Sequence, residues 1–128
     1  MNWVESDLMV AGGYGKVRVR GQSYRDFGVR VLACQDHTVA HLIHLRTGLG
    51  IGAFRTQGLA QRAGEIADAF IGSDFERLSP QKQAHKIGAI YDAWKRSRIV
   101  PSYGMDDANN VIWCERDADA GDEFEFRR

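Results

Sequence analysis

His37, His41 and His44 lie four and three residues apart in "DHTVAHLIHL". On a helix that spacing would gather three imidazoles on one face, where they could hold a metal ion or pass protons. The run around them argues against a helix: it is short, carries Val39 and Ile43, and lies between a polar "QDHT" turn and a "TG" reversal. A strand puts His41 and His44 on opposite faces. It leaves His37 and His41 on one face but roughly 13 Å apart, at about 3.3 Å per residue, too far for two nitrogens that must each lie about 2 Å from one ion. The expectation is therefore no metal and no cofactor, with one histidine packed or hydrogen-bonded at a sheet-helix boundary and another on the outer face of the sheet.

Nucleophilic chemistry has little else to use. Cys34 is close in sequence to these histidines, but no glycine-flanked nucleophile turn accompanies it, and the carboxylates are dispersed. Cys34 and Cys114 form no CxxC pair, and each is expected to be a small buried hydrophobe. The glycines at 12, 13 and 15 precede Lys16 without the spacing of a phosphate-binding loop and are read as a turn. A non-enzymatic protein is expected.

Charge is the stronger signal. The 128 residues carry no net charge, yet from Tyr14 to Arg62 eight cations face two anions, a net +6, and from Val100 onward three cations face eight anions, a net −5. A basic half and an acidic end suggest a polyanion-binding surface and a tail that competes for it or mimics nucleic acid toward a basic partner. The candidate nucleic-acid contacts are Lys16, Arg18, Arg20, Arg25, Arg30, Arg46 and Arg55; the candidate partner contacts in the tail are Asp117, Asp119, Asp122 and Glu123.

The elements that would position these residues follow from periodicity. "KVRVRG" alternates strictly, with Lys16, Arg18 and Arg20 on one side and Val17 and Val19 on the other, which is a half-buried strand with a basic outer face. "DFGVRVLAC" is a second strand, with Phe27, Val29, Val31 and Ala33 on one face; "VAHLIHLR" is a third and "LGIGAF" a fourth, whose glycines imply a bulge or the close approach of another backbone. The period then changes from two to 3.6. Leu59, Ala63, Ile66, Ala67 and Phe70 form a helical stripe between a Thr56 cap and a Gly72 stop. A second helix opens at Ser79-Pro80, with an apolar face of Gln83 or Ala84, Ile87, Ile90, Tyr91 and Trp94, and basic residues in its last turn. "IVPSYGMDDANN" reads as a loop and "VIWC" as a short strand near 111–114.

The expected fold class is α+β: an antiparallel sheet of about four strands packed by two C-terminal helices, forming one compact domain over residues 1–114, with an acidic tail at 115–128. A chain of this size buries roughly two thirds of its unfolded surface without a staple. No apolar stretch approaches the length of a membrane span and no leader pattern opens the sequence, so a cytoplasmic location and no membrane partner are expected.

Residues 24–72, reading "YRDFGVR", "VAHLIH", "IGAFRT" and "LAQRAGEIADAFIG", resemble the three-stranded sheet plus helix of plant ethylene-response-factor DNA-binding domains and of phage-type integrase arm-binding domains. The resemblance implies DNA contacts by Arg25 and Arg30, which match arginines of the plant family. The family's DNA-facing tryptophans have no counterpart on these strands, and His41 stands where the family has a DNA-facing glutamate, so phosphate contacts are expected in place of base readout. The competing expectation is a small phage or mobile-element accessory protein that inhibits or adapts a larger machine by direct protein binding.

Overall fold

The structure, a computed structural model, describes residues 2–12, 15–34, 37–101, 103–105 and 111–114. Strands β1 (Val4–Gly12), β2 (Gly15–Tyr24), β3 (Phe27–Cys34), β4 (His37–His44) and β5 (Leu49–Phe54) lead into helix α1 (Gln57–Asp68), a 3-10 turn (Phe75–Arg77) and helix α2 (Pro80–Arg96); short strands β6 (Tyr103–Met105) and β7 (Val111–Cys114) follow. The strands lie in one antiparallel sheet in chain order, each beside its sequence neighbour. The α+β class is as expected, with more strands. The N-terminal segment is a nine-residue strand of its own, and the segment expected as a loop after α2 contains β6.

The helices cover one face of the sheet. Phe27, Val29, Ala40, Leu42, Ile51 and Phe54 point from β3, β4 and β5 into a core completed by Ala60, Ala63 and Ala67 of α1 and by Ile90 and Trp94 of α2. Small residues let α1 sit close: a Cβ on Gly64 would lie 2.9 Å from the Trp3 ring and 3.0 Å from Leu42. The Trp94 indole fills the space between the helices and donates to the Ala63 carbonyl at 2.9 Å, so its one polar group is satisfied in the core. Both helix starts are capped as the sequence indicates: Thr56 Oγ accepts from Leu59 N, and Ser79 Oγ accepts from Lys82 N with Pro80 behind it.

Two stripes differ from expectation. Helix α1 ends at Asp68, so its phase does not carry to residue 70; Phe70 is 36% exposed and Ile71 is buried in its place. On α2, Ala93 joins Ile90 and Trp94 in the core, while Tyr91 is 46% exposed and donates its hydroxyl to the Ile51 carbonyl. That carbonyl lies at an irregularity in β5: Leu42 opposes Gly52 and Ile43 opposes Gly50, leaving Ile51 as the extra residue. The glycines of "LGIGAF" thus mark both a bulge and a close approach, since a Cβ on Gly52 would lie 3.0 Å from Phe54 and 3.1 Å from Trp94.

The other face of the sheet carries no helix and is nevertheless buried. Leu8, Val10, Val39, His41 and Ile43 are each 1% exposed or less. The cause is curvature. Strand β2 pairs with β1 over nine positions but with β3 over only three, from Gln22 to Tyr24, and leaves β3 at Gly21. The β1–β2 ribbon then folds inward until β1 approaches β5, placing Leu8 and Val10 on Ile43 with Val19 and Leu45 beside them. A Cβ at Gly21 would collide with the Val29 carbonyl oxygen and lie 2.6 Å from Leu8, so that approach needs glycine; one at Gly28 would lie 2.9 Å from the methyl ends of Leu8 and Leu45, a tight contact with side chains alone. The sheet therefore has a convex face, covered in part by helices, and a concave face closed by its own first strand. No helix among the described residues is long and apolar enough to cross a membrane.

Gly21→Ala is expected to destabilise the protein by about 2–3 kcal/mol, because the added methyl meets backbone that cannot yield without moving β3. Gly58→Ala, where a Cβ meets nothing within 4 Å in the first turn of α1, should stabilise it by about 0.5–1 kcal/mol. Urea unfolding of the two variants beside the wild type measures both.

Candidate nucleic-acid interface

Strict alternation and the cross-strand register put the side chains of Asp7, Met9, Lys16, Arg18 and Arg20 on the convex face of the ribbon, opposite to Leu8, Val10, Val17 and Val19. Lys16, Arg18 and Arg20 are all exposed. Arg20 pairs with Asp7 at 3.2 Å, with both side chains more than half exposed, an ion pair worth little in water. Lys16 and Arg18 have no ion pair among the described residues. Val17, expected to be half-buried beneath them, is 48% exposed where the ribbon overhangs the sheet.

The ribbon face continues onto α1. Gln22, on the same face as Arg20, accepts hydrogen bonds from the side-chain amides of Gln57 and Gln61. The exposed Arg55 and Arg62 flank those glutamines in sequence at the start of α1, where the unsatisfied backbone N–H groups carry partial positive charge. Lys16, Arg18, Arg20, Gln22, Gln57 and Gln61 thus run from β2 to the first turns of α1, with two acids on the same ribbon face, Asp7 opposite Arg20 and the exposed Glu5 opposite Gln22.

Two of the remaining arginines, Arg25 and Arg46, have ionic partners. Arg25, in the β2–β3 turn with φ 54°, pairs with Asp68 of α1 at 3.6 Å and lies over the Tyr24 ring at 5.6 Å. Tyr24 itself tilts against Trp3 at 5.4 Å. Arg46 bridges Asp26 at 3.4 Å and Glu76 at 2.8 Å, joining two turns to the 3-10 segment; the hydrogen bond and charge of Glu76, then those of Asp26, hold its guanidinium above its ordinary pKa. The seven predicted nucleic-acid contacts are therefore dispersed. Lys16, Arg18 and Arg20 share one surface, with Arg55 at its far end, whereas Arg25 and Arg46 tie turns to helices and Arg30 points to the concave side.

His41 and His44 of β4 are both buried, which corrects the expectation of one of them on an outer surface. His44 lies on the helix side, edge-on to Phe27 and Phe75. The Thr47 hydroxyl donates to the His44 carbonyl, so Thr47 Oγ1 accepts from His44 Nδ1 at 3.0 Å, which fixes the Nδ1–H tautomer. His41, on the concave face, is fully buried with no hydrogen bond at either ring nitrogen. Burial, then the charge of Arg30 across the strand pair, pushes its pKa down to about 3. The position where the plant family has a DNA-facing glutamate therefore touches no solvent. The side chains of His37, Cys34 and Cys114 and the tail residues Asp117, Asp119, Asp122 and Glu123 lie outside the described residues.

Comparison with protein-family models, with curated proteins and with solved structures found no match. The function must therefore be inferred from the physical character of the convex face. Neither the ribbon's role nor the buried pair is written in the sequence by itself. Strand alternation locates Lys16, Arg18 and Arg20 on one side, but only the curl decides that this side faces water and that Arg30 does not.

A titration follows from His41. Its folded pKa lies below its unfolded value of 6.5, so below about pH 6.5 the unfolded chain takes up a proton that the folded chain refuses, and stability falls as the pH drops. Between about pH 7 and pH 5 this group alone should remove about 2 kcal/mol. His41→Gln should flatten that slope, as read by urea unfolding at each pH; His44, also lowered by burial, leaves a residual slope of the same sign.

Proposed function

We propose that this protein binds nucleic acid, without base readout, through phosphate contacts along the convex face of the β1–β2 ribbon and onto the start of α1. The observation that supports it is the exposed row of Lys16, Arg18 and Arg20 at alternate positions of one strand, two of them without an ion pair among the described residues. Phosphate neutralisation needs cations that are free, rigidly spaced and solvent-facing. A strand held by nine cross-strand partners supplies the rigidity. A two-stranded ribbon is also narrow enough to lie in a duplex major groove, and a row of cations tracks a single strand equally well. The order of β3, β4, β5 and α1 is the order on which the resemblance to plant and integrase DNA-binding domains rests, but the contact surface proposed is a different one, because the concave face is occupied by β1.

Affinity should fall steeply with added salt. The Arg18→Ala/Arg20→Ala double variant should bind about ten-fold more weakly, with the slope of log affinity against log salt reduced by about one for each phosphate that is no longer neutralised. Filter binding of a short duplex and a single strand over a salt series reads both. No retention of either at low salt, or a double variant indistinguishable from the wild type, removes this reading.

A second reading, a protein-binding accessory factor, has one observation in its favour. Between α2 and the start of β5 lies a groove of about 520 Å³ whose lining, Leu49, Ile51, Phe75, Pro80, Ile87 and Tyr91 among others, carries no charged side chain. Ile87→Glu should abolish capture of a protein partner while leaving nucleic-acid retention unchanged. Capture unaffected by that change rules out the groove as its seat.

A further inference from the structure

Arg30 and His41 face each other across β3 and β4 on the concave side of the sheet. Three of their polar atoms, Arg30 Nε and both ring nitrogens of His41, are buried without a hydrogen-bond partner. Such groups are rare in folded proteins, because a buried donor or acceptor without a partner loses its hydration and gains nothing in return. The charge adds to this. Partial desolvation lowers the Arg30 pKa, as burial of a cation must, and its Nε is left without the partner that would offset that desolvation. No carboxylate among the described residues pairs with it: Asp7 is taken by Arg20, Asp26 and Glu76 by Arg46, and Asp68 by Arg25, each away from the concave face.

We propose that the concave side of the sheet at Arg30 and His41 is a carboxylate-binding site. The guanidinium offers a planar fork of N–H donors that matches the two oxygens of a carboxylate. A neutral His41 offers one further N–H donor from the directly opposed position, where Cβ atoms of paired residues lie about 5 Å apart. Arg30 is part-buried, whereas His41, directly opposite it across the strand pair, is fully buried. The walls are apolar, Leu32, Val39, Ile43 and Ala53, which strengthens any charge-assisted bond made there. A glycine at 28 and the curl at Gly21 keep β1 near this face without placing an acid on it, since the inward residues of the ribbon are Leu8, Val10, Val17 and Val19.

The carboxylate has two available sources, a small acid from solution and the chain's own acids at Asp117, Asp119, Asp122 and Glu123. The test titrates sodium acetate into the full-length protein at pH 7, with ionic strength held constant by sodium chloride, while the Arg30 Nε–H and His41 ring resonances are followed by ¹⁵N NMR. Three full-length variants run beside the wild type: Arg30→Gln, Arg30→Lys, and the quadruple Asp117→Asn/Asp119→Asn/Asp122→Asn/Glu123→Gln. Saturable shifts at both residues in the wild type, absent in Arg30→Gln and weakened about ten-fold in Arg30→Lys, support a site for free carboxylates. Saturable shifts that appear only in the quadruple variant support the same site filled by the chain's own tail. Absence of saturation in both the wild type and the quadruple variant overturns the proposal, and so does equal affinity in Arg30→Lys, the comparison that remains should Arg30→Gln fail to fold.

Discussion

The packing of Leu8 against Gly21 and Gly28 is the constraint on which the arrangement turns. Because neither glycine has a Cβ, the β1–β2 ribbon can leave β3 at Gly21 and press Leu8 and Val10 onto Ile43. Without that bend β2 would continue flat beside β3, the second face of the sheet would expose Val39, His41 and Ile43 to water, and Lys16, Arg18 and Arg20 would lie in one plane with the rest of the sheet. The bend does two things at once. It buries a concave face holding Arg30 and His41, and it presents the opposite side of the ribbon as a convex basic surface beside α1.

The helices depend on the same division. They cover β3, β4 and β5 and stop short of the ribbon, to which they connect through Gln57 and Gln61 on Gln22 and through Trp3, whose indole N–H donates to Glu65 at 2.9 Å. Trp3 thus anchors the beginning of β1 to α1 while the rest of β1 crosses to the other side of the sheet. Arg25 and Arg46 secure the turns at the same end through Asp68, Asp26 and Glu76. Among the described residues, Lys16 and Arg18 of the ribbon and Arg55 and Arg62 at the start of α1 form no ion pair.

Much of the local structure is legible in the letters. The strand of "KVRVRG", the caps at Thr56 and Ser79-Pro80, and the paired glycines of "LGIGAF" are each found where they are written, although Val17 of that strand stays exposed. What the sequence does not state is which sheet face another part of the chain will cover. Gly21 reads as one more strand glycine, and the alternation of Leu8 and Val10 with Asp7 and Met9 is too short to announce a strand. Alternation alone therefore sets one strand histidine outside and counts Arg30 among the solvent-facing cations, whereas His41 and Arg30 both lie on the concave side. Phe70 differs from expectation for a related reason: a stripe is extrapolated at constant phase, while the helix ends two residues earlier.

Nucleic-acid binding of this kind requires that the convex face of the ribbon, and not the concave or α2 side, meet the phosphates. A ¹H–¹⁵N chemical-shift map of the protein titrated with a short oligonucleotide at low salt separates these surfaces. Perturbed amides are expected from Lys16 to Gln22 and from Arg55 to Arg62, with Ile87 to Trp94 unmoved. A footprint centred on α2, or none at any oligonucleotide concentration, would contradict this.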